Sequence, residues 1–505
     1  MVTDRPRRRG TIQLVGLVLG PVAAGLAYAL SSLLTGGEDG LSEDGRAVIA
    51  MMAWMVAWWL TEAVDVSVTA LLPLVVLPLG TDASIREAAA PYANPVIGLF
   101  FGGFVLGLAM ERSGLHKRIA LVVLNVIGSG QKTVIAGFMC IAAFMSMWIS
   151  NTASAVMMLP IGLSVAAVFD EAGDEADSES DGSFGKALLL GLAYAASIGG
   201  IGTLIGTPPN AFFAGYVQET YGRTIGFAEW LAVGVPLVIV FVPIVWFMLT
   251  NVLFRLRRGD AEAAGRVIAE RRQALGPMTS TEWVTMVVFL MTACLWITRP
   301  LLTKIEIDEF SPFAGLSDAG IAIIAAISLF AIPSNIKTRE FVLEWSDLTR
   351  LPWGVLLLFG GGLSLAGAIQ GNGIADLIAG QAGALDVLPM LLIVALVALV
   401  VTFLTELTSN TATAATLLPV LGGVAVALDV DPVLLLVPAT VAASCAFMMP
   451  VATPPNAVVF ASGRLTIPLM ARTGFLLNLI GVVLVTALTY LLAMPILGAV
   501  AEAAG

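Results

Sequence analysis

The chain has 505 residues, of which 58% are apolar and only 12% charged, and its mean hydropathy is +0.94. That balance excludes a large soluble enzyme and describes a polytopic helical membrane protein. The net charge of −11 is concentrated in connections such as 38–44 and 170–181, and an acidic exterior argues against nucleic acid as a partner.

A transmembrane helix needs roughly 17–25 apolar residues. From the N-terminus, such segments run over 11–35, 47–62, 64–80 and 94–111. They continue over 187–219, 229–254, 281–299, 316–333, 353–370, 432–461 and 473–497. The first is predicted to be a retained helix rather than a signal peptide, because no small-residue cleavage site and soluble domain follow it. Two further stretches, 132–168 and 388–428, carry a polar tripeptide in their middles: Ser150, Asn151 and Thr152 in one, Ser409, Asn410 and Thr411 in the other. With about twenty residues on each side, these fit re-entrant helical hairpins whose polar tips lie at membrane depth. The predicted architecture is therefore an all-α polytopic membrane protein of eleven transmembrane helices plus two re-entrant hairpins.

Basic residues set the orientation. Arg5, Arg7, Arg8 and Arg9 place the N-terminus in the cytoplasm. Threading from there puts Arg112, Lys117, Arg118, Lys132, Lys186, Arg255, Arg257, Arg258, Arg266, Arg271, Arg272, Lys337, Arg339, Arg350, Arg464 and Arg472 inside as well. Arg46, Arg86, Arg223, Arg299 and Lys304 fall outside, a sorting of 20 to 5, and the C-terminus ends outside. The acidic run 170–183 reads as a solvated loop, and the charged, Ala-rich segment 258–275 as a helix on the cytoplasmic surface. Cys140, Cys294 and Cys445 have no paired spacing and read as buried small hydrophobes. The only histidine, His116, lies beside Lys117 and Arg118 in an expected connecting segment, so neither a zinc nor an iron site is predicted.

The chain repeats itself. A shift of 259 residues superposes the two Ser-Asn-Thr tripeptides. It also places Phe100, Gly102, Gly103, Leu106, Gly114 and Pro160 on Phe359, Gly361, Gly362, Leu365, Gly373 and Pro419. A shift of 246 superposes Gly206-Thr207-Pro208-Pro209-Asn210 on Ala452-Thr453-Pro454-Pro455-Asn456. The first copy begins with a span entering from outside and the second with one entering from the cytoplasm, so two inverted-topology repeats are expected. Tandem proline inside an apolar span breaks the helix, and a break at membrane depth is tolerated where its backbone lines a cavity or is buried in protein.

Two tips and two breaks supply hydroxyl, amide and carbonyl oxygens, the hard neutral ligands that suit Na⁺. Half-helix N-termini and amide donors suit a carboxylate or another oxyanion. No Arg, Lys or His lies within the tips or breaks, so a multivalent anion needs a co-bound cation to neutralise it. Binding of the two together is the thermodynamic basis of symport. Glu62 reads as a local cap or pairing residue, and Glu406, three residues before the second tip, is left open, with orienting that tip as its one candidate role.

With both Ser-Asn-Thr motifs, both Thr-Pro-Pro-Asn breaks, the segment Trp58–Ala63 and the following Val68–Pro73, the chain resembles the divalent anion:sodium symporter family. That family comprises di- and tricarboxylate carriers and sulfate transporters. The resemblance implies a homodimer in which a fixed scaffold domain holds a transport domain that moves across the membrane as an elevator. It implies a substrate site at Ser150, Asn151, Thr152, Thr207 and Pro208 on one side and Ser409, Asn410, Thr411, Thr453 and Pro454 on the other. One Na⁺ site would use Ser146, Ser150, Asn151 and Gly206, and the other Thr405, Thr408, Asn410 and Ala452. The family often has a smaller residue where Thr408 stands. On this reading residues 1–93 are N-terminal scaffold spans and 94–254 the first repeat, with hairpin 132–168 and broken helix 187–219. Residues 255–350 hold the cytoplasmic surface helix and further scaffold spans, and 351–497 form the second repeat, with hairpin 388–428 and broken helix 432–461.

The leading expectation is a multi-pass plasma-membrane symporter that couples Na⁺ to a C4-dicarboxylate such as succinate, malate or fumarate, with no organic cofactor. Alternatives within transport are dicarboxylate exchange and Na⁺ symport of sulfate or a tricarboxylate. An ion channel is the alternative from another class, since re-entrant loops also build selectivity filters. An enzyme is disfavoured because the spans hold no nucleophile–base pair, metal cluster or phosphate loop.

Overall fold

The computed structural model describes residues 10–34, 41–127, 130–171, 182–254, 256, 261–307, 310–374, 377 and 388–498. The basic residues at 5–9, 255, 257 and 258, most of the acidic run 170–183 and the C-terminal end lie outside the described residues. Within them the regular structure is helical apart from a small two-stranded pairing of Pro333–Asn335 with Glu340–Phe341 and an isolated bridge between Ile307 and Phe310. Eight helices among the described residues are long and apolar enough to cross a membrane. Large apolar side chains such as Ile12, Leu79, Val126 and Leu491 stand fully outward, as on a surface that faces lipid rather than water.

Several predicted spans take a different form. The segment expected as one span over 64–80 is two short helices, Val66–Thr69 and Pro73–Gly80. Pro73 cannot donate to the preceding turn, so it starts a new helix instead of continuing the old one. The broken spans appear as the pairs Ser183–Gly200 with Pro208–Tyr221 and Val433–Ala442 with Pro454–Phe460. The two Ser-Asn-Thr stretches are helix pairs, Gln131–Ser146 with Asn151–Glu171 and Met390–Thr405 with Asn410–Ala427, each interrupted just before its asparagine. Helices Phe227–Phe247 and Ile467–Leu488 each run on into a wider π-helical segment, Met248–Leu253 and Thr489–Gly498.

Residues matched by the 259-residue shift meet in space. The rings of Phe100 and Phe359, equivalent in the two halves, sit edge to face with centroids 5.1 Å apart in the core. They lie on helices Pro95–Ser113 and Trp353–Gly371. Gly102 on the first lets the backbone of Ala322 approach so closely that an added Cβ would stand 2.5 Å from it. Gly361, its counterpart on the second, does the same for the carbonyl of Ala70. Each of the two matched glycines therefore seats a close helix contact, because only the smallest residue lets backbones come so near.

A helix not predicted from sequence, Leu115–Ile127, follows directly after Gly114, whose φ of 79° turns the chain. At 13 residues it is too short to register as a span. It packs against Gln131–Ser146 and against the surface helix Ala261–Ala274. His116 thus lies on a helix rather than in a connecting segment, and it is buried, its Nδ1 2.6 Å from the carbonyl of Met110. Two cysteine expectations also change. Cys140 and Cys294 are exposed on outward helix faces, and only Cys445 is buried.

Ion pairs fasten the connections. Arg118 Nε lies 2.7 Å from Glu282 Oε1, and its other nitrogens donate to the carbonyls of Leu275, Gly276 and Pro277. Glu111 pairs with Arg350, and Arg112 with Asp347, joining the end of Pro95–Ser113 to the turn before Trp353–Gly371.

Burial holds the His116 imidazole below its ordinary pKa, and the bond to the Met110 carbonyl opposes this only in part. A lowered folded-state pKa means that the unfolded chain takes up the proton first. The stability His116 contributes is therefore complete above its unfolded value, about 6.5, and is lost as pH falls below it. Thermal unfolding of the purified protein from pH 7.5 to 5.5 is expected to show this loss, and His116→Asn to remove the part of the slope that sets in below about pH 6.5. An unchanged slope in that variant would rule the histidine out as its source.

Candidate substrate and cation site

The two helix interruptions have almost the same backbone. Thr207 has φ and ψ of −144° and 142°, and Thr453 has −137° and 147°. In each copy the first proline is not the point where a running helix fails. Pro208 and Pro454 open the second half-helix, the position where a missing N–H costs nothing and a fixed φ helps. The interruption itself is the extended stretch before them.

The asparagine that ends each motif is fully buried and closes that stretch. Asn210 Nδ2 lies 3.1, 3.2 and 2.8 Å from the carbonyls of Gly200, Ile201 and Thr203. Asn456 Nδ2 lies 3.2 and 3.1 Å from those of Ala446 and Met449. These carbonyls have lost helical partners, and in an apolar interior each needs another donor. Neither asparagine was singled out as a site residue from sequence, although both stand at the same place in the repeated motif.

All ten residues expected at the substrate site line one cavity of about 700 Å³: Ser150, Asn151, Thr152, Thr207, Pro208, Ser409, Asn410, Thr411, Thr453 and Pro454. They sit at or next to the N-termini of Asn151–Glu171, Pro208–Tyr221, Asn410–Ala427 and Pro454–Phe460. The helices that begin at Asn151 and Asn410 turn backbone N–H groups and the positive ends of their dipoles toward this space, whereas the two that begin with Pro-Pro have no N–H at their first two positions and offer the Thr207 and Thr453 hydroxyls instead. The cavity also reaches Glu62, Glu111 and Arg350. Glu62 is the residue that ends helix Glu43–Thr61, in a left-handed conformation with φ 46°. Its backbone N–H closes the helix on the Trp58 carbonyl, and its place on the cavity wall was not foreseen.

The oxygens expected to hold cations form two clusters. In the first, Ser146 Oγ and Asn151 Oδ1 are buried without a hydrogen-bond partner. A Cβ on Gly200 would lie 2.6 Å from Asn151 Oδ1 and 3.1 Å from the carbonyl oxygen of Gly206, and one on Gly206 would lie 2.9 Å from the carbonyl oxygen of Ser146. Ser146, Asn151 and Gly206 therefore meet around Gly200, which sequence reading did not include. Ser150 turns its hydroxyl to the backbone N–H of Ala153, 3.2 Å away.

In the second cluster, Thr405 Oγ1 lies 2.8 Å from Asn410 Oδ1 and 3.0 Å from the carbonyl oxygen of Ala443. Ala443, also missed from sequence, supplies a carbonyl from the start of the second break. Thr408 departs from expectation. Its hydroxyl bonds Leu404 O and Thr413 Oγ1, at 3.0 and 2.6 Å, and so is committed away from this cluster. Thr408 and Ala452 both border the cavity. Hydroxyl, amide and carbonyl oxygens without a carboxylate or sulfur among them match a hard monovalent cation such as Na⁺.

The profile of the family described as "Sodium:sulfate symporter transmembrane region" matches residues 21–498. The chain belongs to this family of membrane transport proteins. Among its relatives, a protein named sodium-dependent dicarboxylate transporter SdcS from Staphylococcus saprophyticus is 42% identical over 491 residues, covering 96% of this chain and 92% of that one. Its namesake from Staphylococcus aureus is 41% identical with the same coverage. Two solved structures share the fold at 14% identity and a TM-score of 0.59. They are the Alcanivorax borkumensis YdaH transporter, with 95% of this chain and 98% of that one covered, and Neisseria gonorrhoeae MtrF, with 97% of each.

Gly200→Ala drives a methyl group into the Asn151 amide and the Gly206 carbonyl. It is expected to lower transport in proteoliposomes at least about tenfold. Gly367→Ala, where an added Cβ meets nothing within 4 Å, is the control and should leave transport intact. Equal rates for the two variants would remove Gly200 from the site.

Proposed function

We propose that this protein couples inward Na⁺ flux to uptake of a C4-dicarboxylate such as succinate, malate or fumarate. The observation that carries the reading is the single cavity on which four helix N-termini converge, flanked by two clusters of uncharged oxygens. A dicarboxylate has two anionic ends and the cavity has two facing sets of donors, one from each half. Ser150, Asn151, Thr152, Thr207 and Pro208 receive one carboxylate in this reading, and Ser409, Asn410, Thr411, Thr453 and Pro454 the other. A sulfate ion would engage one set and leave the other unpaired, which selects against it. The names of the Staphylococcus relatives support the same substrate class.

Na⁺ is cargo rather than a resident cofactor. The unpartnered Ser146 Oγ and Asn151 Oδ1 of the first cluster fit it, with Gly206, and so do the converging oxygens of Thr405, Asn410 and Ala443 in the second. Ion binding satisfies these oxygens and brings positive charge beside a space that must hold a dianion. The substrate site is then complete only when the cations are present, so neither solute crosses profitably alone.

The 259-residue correspondence and the contact of Phe100 with Phe359 support two repeats related by a pseudo-two-fold axis, inverted in the membrane. In this reading the hairpins 132–168 and 388–428 and the broken helices 187–219 and 432–461 form a transport domain. It slides as an elevator along a scaffold made of the remaining spans, in a homodimer. The N-terminus is cytoplasmic and the C-terminus external in the cell membrane. Glu111 and Arg350, on the cavity wall, belong to the cytoplasmic side of that topology, so the cavity opens inward.

Uptake of labelled succinate, citrate and sulfate into proteoliposomes, under an imposed Na⁺ gradient, an H⁺ gradient or internal dicarboxylate, tests the reading. Succinate driven by Na⁺ is expected to dominate. Asn151→Ala and Asn410→Ala should each lower that uptake at least about a hundredfold while the protein stays folded. Uptake that needs internal dicarboxylate and ignores Na⁺ would replace symport by exchange.

A further inference from the structure

The two halves differ at one position beside the cation clusters. The 259-residue shift that matches Ser146 with Thr405 and Asn151 with Asn410 places Met147 on Glu406. Only the second half carries a carboxylate there, and that carboxylate is buried, with the residue 3% exposed.

Glu406 reaches out of its hairpin into the facing helix break. Its Oε1 accepts from the backbone N–H groups of Phe447 and Met448 at 2.7 and 2.8 Å and from Asn478 Nδ2 at 2.8 Å, while Oε2 accepts from the N–H of Met449 at 3.0 Å. Three consecutive N–H groups freed by the break thus close on one side chain. All four partners are donors, the set that suits the ionised form, and all are dipoles rather than charges. The same break supplies the Ala443 carbonyl that meets Thr405 Oγ1, and Thr405 is the residue next to Glu406. Fixing 447–449 to the hairpin therefore fixes the second cluster, with a negative charge one residue away from it.

The first half is held differently. Met147 packs its methyl group where a Cβ on Gly202 would lie 2.9 Å away, and Thr203 Oγ1 donates to the Met147 carbonyl at 2.5 Å. No charge is involved, and Ser146 Oγ and Asn151 Oδ1 remain without partners. One cluster is already assembled by its own hydrogen bonds, whereas the other has oxygens that wait for an ion.

We propose that Glu406 is a positioning residue that makes the two cation sites unequal, so that the site on Thr405 and Asn410 binds Na⁺ more tightly and fills first. The proposal rests on the sodium-coupled reading given above. A preassembled site loses less freedom on binding, and a nearby unbalanced carboxylate favours a cation in a low-dielectric interior.

The test is Na⁺-dependent thermal stabilisation of the purified full-length protein without substrate, which reads ion binding through linkage and needs no transport. Wild type is expected to saturate in two steps. Glu406→Gln keeps the shape and removes the charge, and should raise the half-saturating Na⁺ of the tighter step about tenfold or more. Ser146→Ala should shift only the weaker step. At saturating Na⁺, succinate affinity of Glu406→Gln should stay within about twofold of wild type, a split that a general structural lesion would not produce.

If Glu406→Gln does not fold, Glu406→Asp keeps the charge but is too short to span Phe447 to Met449. It should then raise the same half-saturation value by roughly threefold or more. A Na⁺ curve unchanged in the folded variant, or both steps shifted equally, overturns the proposal and leaves sodium coupling standing. A wild-type protein indifferent to Na⁺ in both stabilisation and uptake overturns sodium coupling itself, and this inference with it.

Discussion

The structure depends on one constraint: backbone groups set free inside an apolar interior must find partners. Two hairpin tips and two helix breaks interrupt the ladders of intrahelical hydrogen bonds deep in the protein. Every carbonyl and N–H released there costs free energy until something binds it. Asn210 and Asn456 answer for the carbonyls, and Glu406 answers for three N–H groups. Ser146 Oγ and Asn151 Oδ1 are left without partners by these braces, and in the proposed reading they are binding capacity for a cation. The same defect that threatens the fold is thus the source of its chemistry.

In the proposed reading, that arrangement explains how a cavity can hold an anion with so little fixed positive charge. Partial charges at helix N-termini are oriented by the fold and do not need to be desolvated when a ligand arrives. The basic residue on the cavity wall, Arg350, is paired with Glu111, which leaves the balance of charge to ions that come and go. A permanent arginine among the tips would hold a dianion too firmly to release it. In the proposed mechanism the cations supply attraction on entry and remove it on departure.

Much of this was legible before any coordinates, and the reason is repetition. Ser-Asn-Thr and Thr-Pro-Pro-Asn are weak motifs alone, yet two copies of each at matched separations in apolar sequence point to one site. Short helices were less legible. Leu115–Ile127 fell below the length that marks a span, and 64–80 hid its division at Pro73 inside continuous apolar sequence. Thr408 illustrates a different limit. A hydroxyl has several partners within reach, and sequence could not say that it would turn to Leu404 and Thr413 rather than to the cation cluster.

The sequence by itself determined the membrane class, the repeated motifs and the ten residues, eight polar and two proline, that line the cavity, because composition and repetition are written along the chain. Tertiary structure alone decided that Gly200 and Ala443 join the two oxygen clusters, that Glu406 grips residues 447–449 and that Glu62 lines the cavity. These are meetings between atoms from segments that the chain separates by tens of residues or more. Distance in space between such atoms is set by how helices pack, and no local pattern encodes it.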